Sequence, residues 1–384
     1  MRAARAILGL LALAWCGQAR ADTTDLETEY RLAAERVHKH ASDFSLDGKP
    51  QGEHALSRAW TLLAEWTAAY LNEHPDATPK RLKRAAPSGD LDAVPLGPRR
   101  MLVSAAVGTA FGTVFIVDGS DGSFRPVWSI RGRAGREAFP LLDAWTAKGA
   151  EENCRKMAAD ADWGRCGSLG GTAQRLPDDA QGHPRFYVEA GYSEAAGNTE
   201  AKQLSFWTWT GATAEPQFVT TYSANLDDEY TQLDGDVLKV RTGEDYRMIS
   251  PWWDHLDRAL DWRFRVGPDR IEDLGKTPLV PEMDIVDEIL VRAAHRQPAD
   301  DIATRAVQAQ AAKIIADSGN VGEDGEPSLA MAGSSTLRRE DGRTLVCLPS
   351  DAAGNLTFTL TGTFVSDLSV TPNDTGNFCP PDKP

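Results

Sequence analysis

The stretch "QLSFWTWTG", Gln203 to Gly211, decides how the middle of this chain is read. Successive side chains alternate across an extended strand, so Trp207 and Trp209 fall on one side and Leu204 and Phe206 on the other. Two neighbouring tryptophans suit a stacking platform for a sugar ring, and they equally suit a core. Two echoes elsewhere in the chain favour the core. "VWSIRG" at Val127 to Gly132 sets Trp128 two residues before Ile130, and "DWRFRVG" at Asp261 to Gly267 sets Trp262 two residues before Phe264. A tryptophan that recurs three times answers a repeated packing contact, whereas one ligand needs one platform. Trp128, Trp207 and Trp262 are therefore expected to be buried at similar places in their hairpins.

Strand and turn signals surround these echoes on both sides. "MLVSAAVGTAFGTVFIVDGSDGSFRPVWSIRG" holds two β-rich runs around a turn at Asp118 to Gly122, and "YTQLDGDVLKVRT" turns at Asp234-Gly235. Residues 99–280 thus read as an antiparallel β domain, a meander, with divergent propeller-like blades as the alternative. Before it, residues 22–98 read as a helical hairpin and linker. Leu26, Tyr30, Leu32, Ala33 and Val37 are expected on one stripe, and Leu56, Trp60, Leu63, Trp66 and Tyr70 on the next. After it, residues 281–318 read as a helical pair, and residues 319–384 as a loop and a small disulfide-linked β unit. The expected fold class is therefore mixed and mainly antiparallel β, with helices before and after.

The first 21 residues have the three parts of a secretory signal. Arg2 and Arg5 precede an apolar run from Ile7 to Trp15, and Ala19-Arg20-Ala21 is a small-x-small cleavage pattern. Cleavage after Ala21 is expected, giving a periplasmic or secreted protein with no stable membrane span. Cys16 raises a lipoprotein alternative, which Trp15 disfavours because that position is small in such signals. Loss of Arg2, Arg5 and Arg20 would take the net charge from −15 to −18. So acidic a chain is poorly suited to nucleic acid or anionic lipid, and its one basic run, "PKRLKR" at Pro79 to Arg84, reads as a solvated helix face.

Four cysteines would remain: Cys154, Cys166, Cys347 and Cys379. An even number in an exported chain implies disulfides, and each close couple shares a polar, turn-rich segment. The expected pairs are Cys154 with Cys166 and Cys347 with Cys379. No couple has the C-x-x-C spacing of a zinc site.

Chemical signals are sparse. The chain holds no G-x-x-x-x-G-K-[ST], no G-x-S-x-G and no H-E-x-x-H. "GRCGSLGG" at Gly164 to Gly171 follows a cysteine loop and reads as a turn. His38 and His40 lie two apart on a helix and point apart. His255, in "SPWWDHLDRALDW", has Asp254, Asp257 and Asp261 nearby, the ingredients of general acid-base chemistry if a cleft brings them together. The acidic run with Asp227, Asp228, Glu229, Asp234 and Asp236 is weighed as a calcium loop against a solvated turn. The expected function is a non-enzymatic binding or interaction module of a bacterial-type cell envelope, with an unknown protein or small ligand as partner and no cofactor. The alternative is an envelope hydrolase acting on glycan or peptide through His255 and its carboxylates.

Overall fold

A computed structural model describes residues 22–42, 45–46, 50–107, 111–130, 170–193, 200–224, 231–244, 246–250, 258–320, 327–333 and 335–372. The fold is mainly antiparallel β with five helices among these residues. Two compact units divide the chain: Met1–Thr221 with Gly267–Arg270, and Tyr222–Val266 with Ile271–Pro384.

The first unit opens on α1 (Thr23–His40), capped by Asp22, whose side chain accepts from the Thr24 amide. Leu26, Tyr30, Ala33 and Val37 are buried along one stripe. Leu32 corrects the expected set: it is 51% exposed, because six residues past Leu26 is about 240° around the helix. The two-residue strands β1 (Ala41–Ser42) and β2 (Ser45–Leu46) pair before α2 (Pro50–Glu73), which buries Leu56, Trp60, Leu63, Trp66 and Tyr70 as expected. Next is α3 (Pro79–Ala85), where Leu82 is buried while Lys80, Arg81, Lys83 and Arg84 stay exposed.

A four-stranded meander follows, in the order β3 (Leu91–Gly97), β4 (Arg100–Val107), β5 (Phe111–Asp118) and β6 (Arg125–Ser129). The first of these strands lies within residues 22–98, read above as helical hairpin and linker. It carries Pro95, which an edge strand tolerates because one row of its backbone groups needs no ladder partner. One face of the meander, with Val103, Ala105, Phe115 and Val117, packs into the core of α1 and α2. The other face, with Leu102, Val114, Ile116 and Ile130, packs against Phe186, Val188, Trp207 and Trp209. Those residues belong to β8 and β9 of a second run of strands: β7 (Gly170–Leu176), β8 (Arg185–Ser193), β9 (Glu200–Trp209) and β10 (Ala214–Ala224). The first meander is therefore a middle layer, and its central strands are apolar on both faces for that reason.

The tryptophan expectation holds in part. Trp207 is 8% exposed and Trp209 1%, so neither is a solvent-facing platform. Trp128 is only half-buried, on the edge strand β6, and its ring lies 5.2 Å from Trp207 and 5.6 Å from Phe186. The first two echoes thus meet each other edge-on across two sheets.

The second unit carries the antiparallel strands β11 (Thr231–Asp234), β12 (Val237–Glu244), β14 (Arg258–Val266) and β15 (Ile271–Pro278). Trp262 on β14 is 7% exposed, and its Nε1 donates to Asp273 Oδ1 at 2.7 Å. Its surroundings differ from those of Trp207, so the echo is one of local pattern. The short strand β13 (Ile249–Ser250) pairs in parallel with β16 (Leu329–Ala330). Helices α4 (Pro281–Ala294) and α5 (Arg305–Ser318) pack with a second four-stranded meander, β17 (Thr336–Glu340), β18 (Arg343–Ser350), β19 (Gly354–Thr361) and β20 (Phe364–Thr371).

Gly354 opens β19 with φ of +88°, and a Cβ there would lie 2.4 Å from the Thr371 carbonyl oxygen. Gly342, at φ +77°, faces open space. In urea denaturation Gly354→Ala is expected to cost about 2 to 4 kcal/mol and Gly342→Ala about 1 to 2. Equal losses at the two positions would contradict the close approach of backbone at Gly354.

Candidate functional site

Of the residues expected to carry chemistry, Asp254, His255 and Asp257 lie outside the described residues. Asp261, the remaining carboxylate of that set, faces Arg241 across β12 and β14 with Oδ1 3.3 Å from Nη2. In the acidic run, Asp227, Asp228 and Glu229 are outside the described residues, while Asp234 and Asp236 flank Gly235 in the hairpin between β11 and β12. Among the described residues no three His, Cys, Asp or Glu side chains converge as a metal site. Cys154, Cys166 and Cys379 lie outside the described residues, and Cys347 is buried on β18.

Among the described residues of the second unit, a polar cluster gathers around α4 and Arg258, the first residue of β14. Its platform is α4, where "DIVDE" sets Asp284, Asp287 and Glu288 at spacings of three and four, the spacing that shares a helix face. Arg258, the first residue of β14, donates from Nε at 2.9 Å and Nη2 at 2.5 Å to Asp284 Oδ2, and reaches Glu244 Oε2 at 3.4 Å. Lys276 binds the other oxygen of Glu244. The Asp284 hydrogen bond raises the Arg258 guanidinium above its usual range.

Asp287 is the group most removed from water. It is 4% exposed and accepts three backbone hydrogen bonds, from Arg247 at 3.2 Å, Met248 at 2.9 Å and Ile249 at 3.2 Å. Burial raises its carboxyl, and the three amides and the Arg247 charge offset part of that. Glu288 binds both Arg247 and Arg292, with Arg292 Nε at 2.7 Å. Burial works to raise its carboxyl, and those two arginines hold it lowered. Burial first, then the negative charges of Asp284 and Asp287, pushes the Tyr246 hydroxyl upward.

This arrangement is suited to holding chain more than to moving protons. Asp284 Oδ2 is held by Arg258, and both oxygens of Asp287 serve main-chain amides. The three amides belong to the residues that lead into β13 and its pairing with β16, so Asp287 staples that connection to α4. The signal that could have found the cluster is the spacing of Asp284, Asp287 and Glu288 together with Arg292, four residues beyond Glu288.

The first unit uses buried charge in the same way. Arg185 is 3% exposed and donates to the carbonyls of Pro177 at 2.8 Å, Gly267 at 2.7 Å and Asp178 at 3.2 Å. Burial lowers its pKa, against the nearby charges of Asp179 and Asp178. Asp118 accepts from Arg100 Nη2 at 3.0 Å and from the Ser120 amide at 3.0 Å, while the Arg100 guanidinium lies 5.0 Å from the Trp209 ring centroid. Burial would raise the Asp118 carboxyl, but the Arg100 and Ser120 hydrogen bonds bring it below the usual range.

No family model, curated protein or solved structure matches this chain.

Acid stability tests the cluster. Asp118, Glu282 and Glu288, with lowered carboxyls, contribute stability that is present above their unfolded pKa values and is lost as pH falls through the folded ones. Asp287, with a raised carboxyl, contributes in the opposite sense: the native state binds its proton more readily, so its term grows as pH falls. Asp287→Asn is expected to cost about 1 to 3 kcal/mol at pH 7, because an amide replaces one of the two acceptor oxygens. The deficit should widen between pH 7 and pH 4, measured by urea denaturation of both proteins. A deficit that shrinks on acidification would refute this assignment.

Proposed function

We propose that the protein is exported and acts as a binding or interaction module of the cell envelope, performing no chemistry of its own. The observation that carries this reading is the use of its buried charge. Asp287 and Arg185 each spend their hydrogen bonds on three backbone groups, and Asp118 is shared between Arg100 and the Ser120 amide. Such groups stiffen loops and fix surfaces, which is what recognition requires.

The remaining support comes from sequence and surface. The charged start, apolar run and Ala19-Arg20-Ala21 pattern suit export with cleavage after Ala21, and among the described residues no helix is long and apolar enough to cross a membrane. Cysteines paired as Cys154 with Cys166 and Cys347 with Cys379 suit an oxidising compartment. Large apolar side chains exposed among the described residues are Leu32, Phe364 and Val370, and the last two share the edge strand β20. They favour a protein partner over a small ligand.

Fractionation of a bacterial host expressing the full chain tests export. The protein is expected in the periplasm or medium with Asp22 at its N-terminus; cytoplasmic protein retaining residues 1–21 would overturn the reading. Binding is tested by thermal shift with peptidoglycan fragments and by capture of envelope proteins on the wild type and on Phe364→Ser/Val370→Ser. The expected outcome is a captured partner whose recovery falls at least tenfold in the double variant. Hydrolysis of peptidoglycan that disappears in His255→Ala would instead establish the enzyme.

A further inference from the structure

Strand β20 ends the C-terminal meander on one side: it pairs with β19, and among the described residues no further strand of that sheet lies beyond it. At its start the chain itself covers the edge. Ala303 bridges to Val365 in parallel, the Thr304 amide donates to the Val365 carbonyl at 3.1 Å, and the Val365 amide donates to the Ile302 carbonyl at 2.8 Å. The cover stops there, because Thr304 caps α5 and the chain turns into the helix. At the other end of the strand stands Pro372, which has no amide hydrogen to offer. Between these two stops the edge runs from Asp367 to Thr371. Asp367, Ser369, Val370 and Thr371 are exposed there, and beyond Asp367 the side chains carry no charge.

Which backbone groups face outward follows from the register. Val365 points its amide and carbonyl away from β19, as its bonds to Ile302 and Thr304 require. Leu360 pairs with Val365 but Thr359 pairs with Asp367, so Ser366 is an extra residue that shifts the alternation by one. Beyond it, Leu368 and Val370 turn their backbone groups to the open edge, and Ser369 between them turns its own to β19. The side chains alternate in step. Leu368 belongs to the core that Val307 and Ala311 of α5 share, whereas Val370, on the same face and paired with Leu356, is 40% exposed.

We propose that this open edge pairs with the same edge of a second copy of the chain, antiparallel about a two-fold axis at Ser369. The edge open over residues 367–371 is centred on Ser369, so only that register overlaps its whole length. Leu368 and Val370 then stand opposite the partner's Val370 and Leu368, and each of these two pairs exchanges both of its outward hydrogen bonds. Val370 gains apolar cover from the partner's Leu368. Asp367, the one acid of the strand, falls opposite the partner's Thr371, which keeps the two carboxylates about 14 Å apart along the strands. A slip that set the acids against each other would run the partner strand into the Ile302–Thr304 bridge at Val365. The inference names the partner for the protein-binding surface proposed above and rests on that reading only in taking β20 as the surface.

Sedimentation velocity of the full chain is expected to approach twice the mass of one chain as concentration rises; a single-chain mass at every concentration would overturn the pairing. Val370→Pro deletes an amide that serves only the open edge, so it is expected to keep the wild-type thermal melt and weaken association at least tenfold. Undiminished association would overturn the register. Should that variant fail to fold, Ser369→Cys reads the same register with every backbone group kept. Its two copies meet at the axis within reach of a disulfide, whereas the copies of Asp367→Cys lie too far apart. Under mild oxidation, peptide mapping is expected to find a bond between the introduced cysteines forming at least tenfold faster in Ser369→Cys than in Asp367→Cys, and equal rates would overturn the register. A foreign protein recovered through Phe364 and Val370 by a chain that stays monomeric would overturn the pairing and leave the binding module standing. A dimer retained in the cytoplasm would support the pairing and overturn the export.

Discussion

An antiparallel strand turns half its side chains to each face, and an apolar face must be covered. This constraint organises both units. In the first, β4 and β5 are apolar on both sides, so one face takes α1 and α2 and the other takes β8 and β9 with Trp207 and Trp209. In the second, β18 and β19 alternate, and α4 with α5 covers the apolar side.

Buried charge is the second organising cost. A charge removed from water costs several kcal/mol unless hydrogen bonds replace its hydration. Here the replacements are largely main-chain groups: three amides for Asp287 and three carbonyls for Arg185. Each such side chain ties a loop to a regular element. Arg99 does a similar thing at the turn between β3 and β4. It takes φ of +51°, donates to the carbonyls of Gly119 and Gly122, and lies 4.8 Å from the Phe124 ring centroid. Asn72 of α2 holds Phe124 through its amide and carbonyl, so the turn after β5 is secured from both sides.

The helices were legible as apolar stripes, because side chains at helical spacing need no knowledge of what they pack on. Strands β4, β5, β9, β12 and β14 were legible from β-rich runs bounded by turns. Leu32 misled because it is apolar yet off the stripe. Of the polar cluster in the second unit, only the acids of α4 could be seen. Arg258 and Arg247 reach them across 26 and 41 residues, which no local spacing encodes.

By itself the sequence determined the class of elements, their order, the acidic composition and the apolar stripes, since all of these follow from local periodicity and composition. It also determined that Trp207 and Trp209 share a side of one strand. Only the tertiary structure decided that this side faces another sheet, that Trp128 meets Trp207 there, and that Asp287 and Arg185 serve the backbone. Those outcomes depend on which surfaces the closed chain brings within a few ångströms of each other, and that is set by long-range packing.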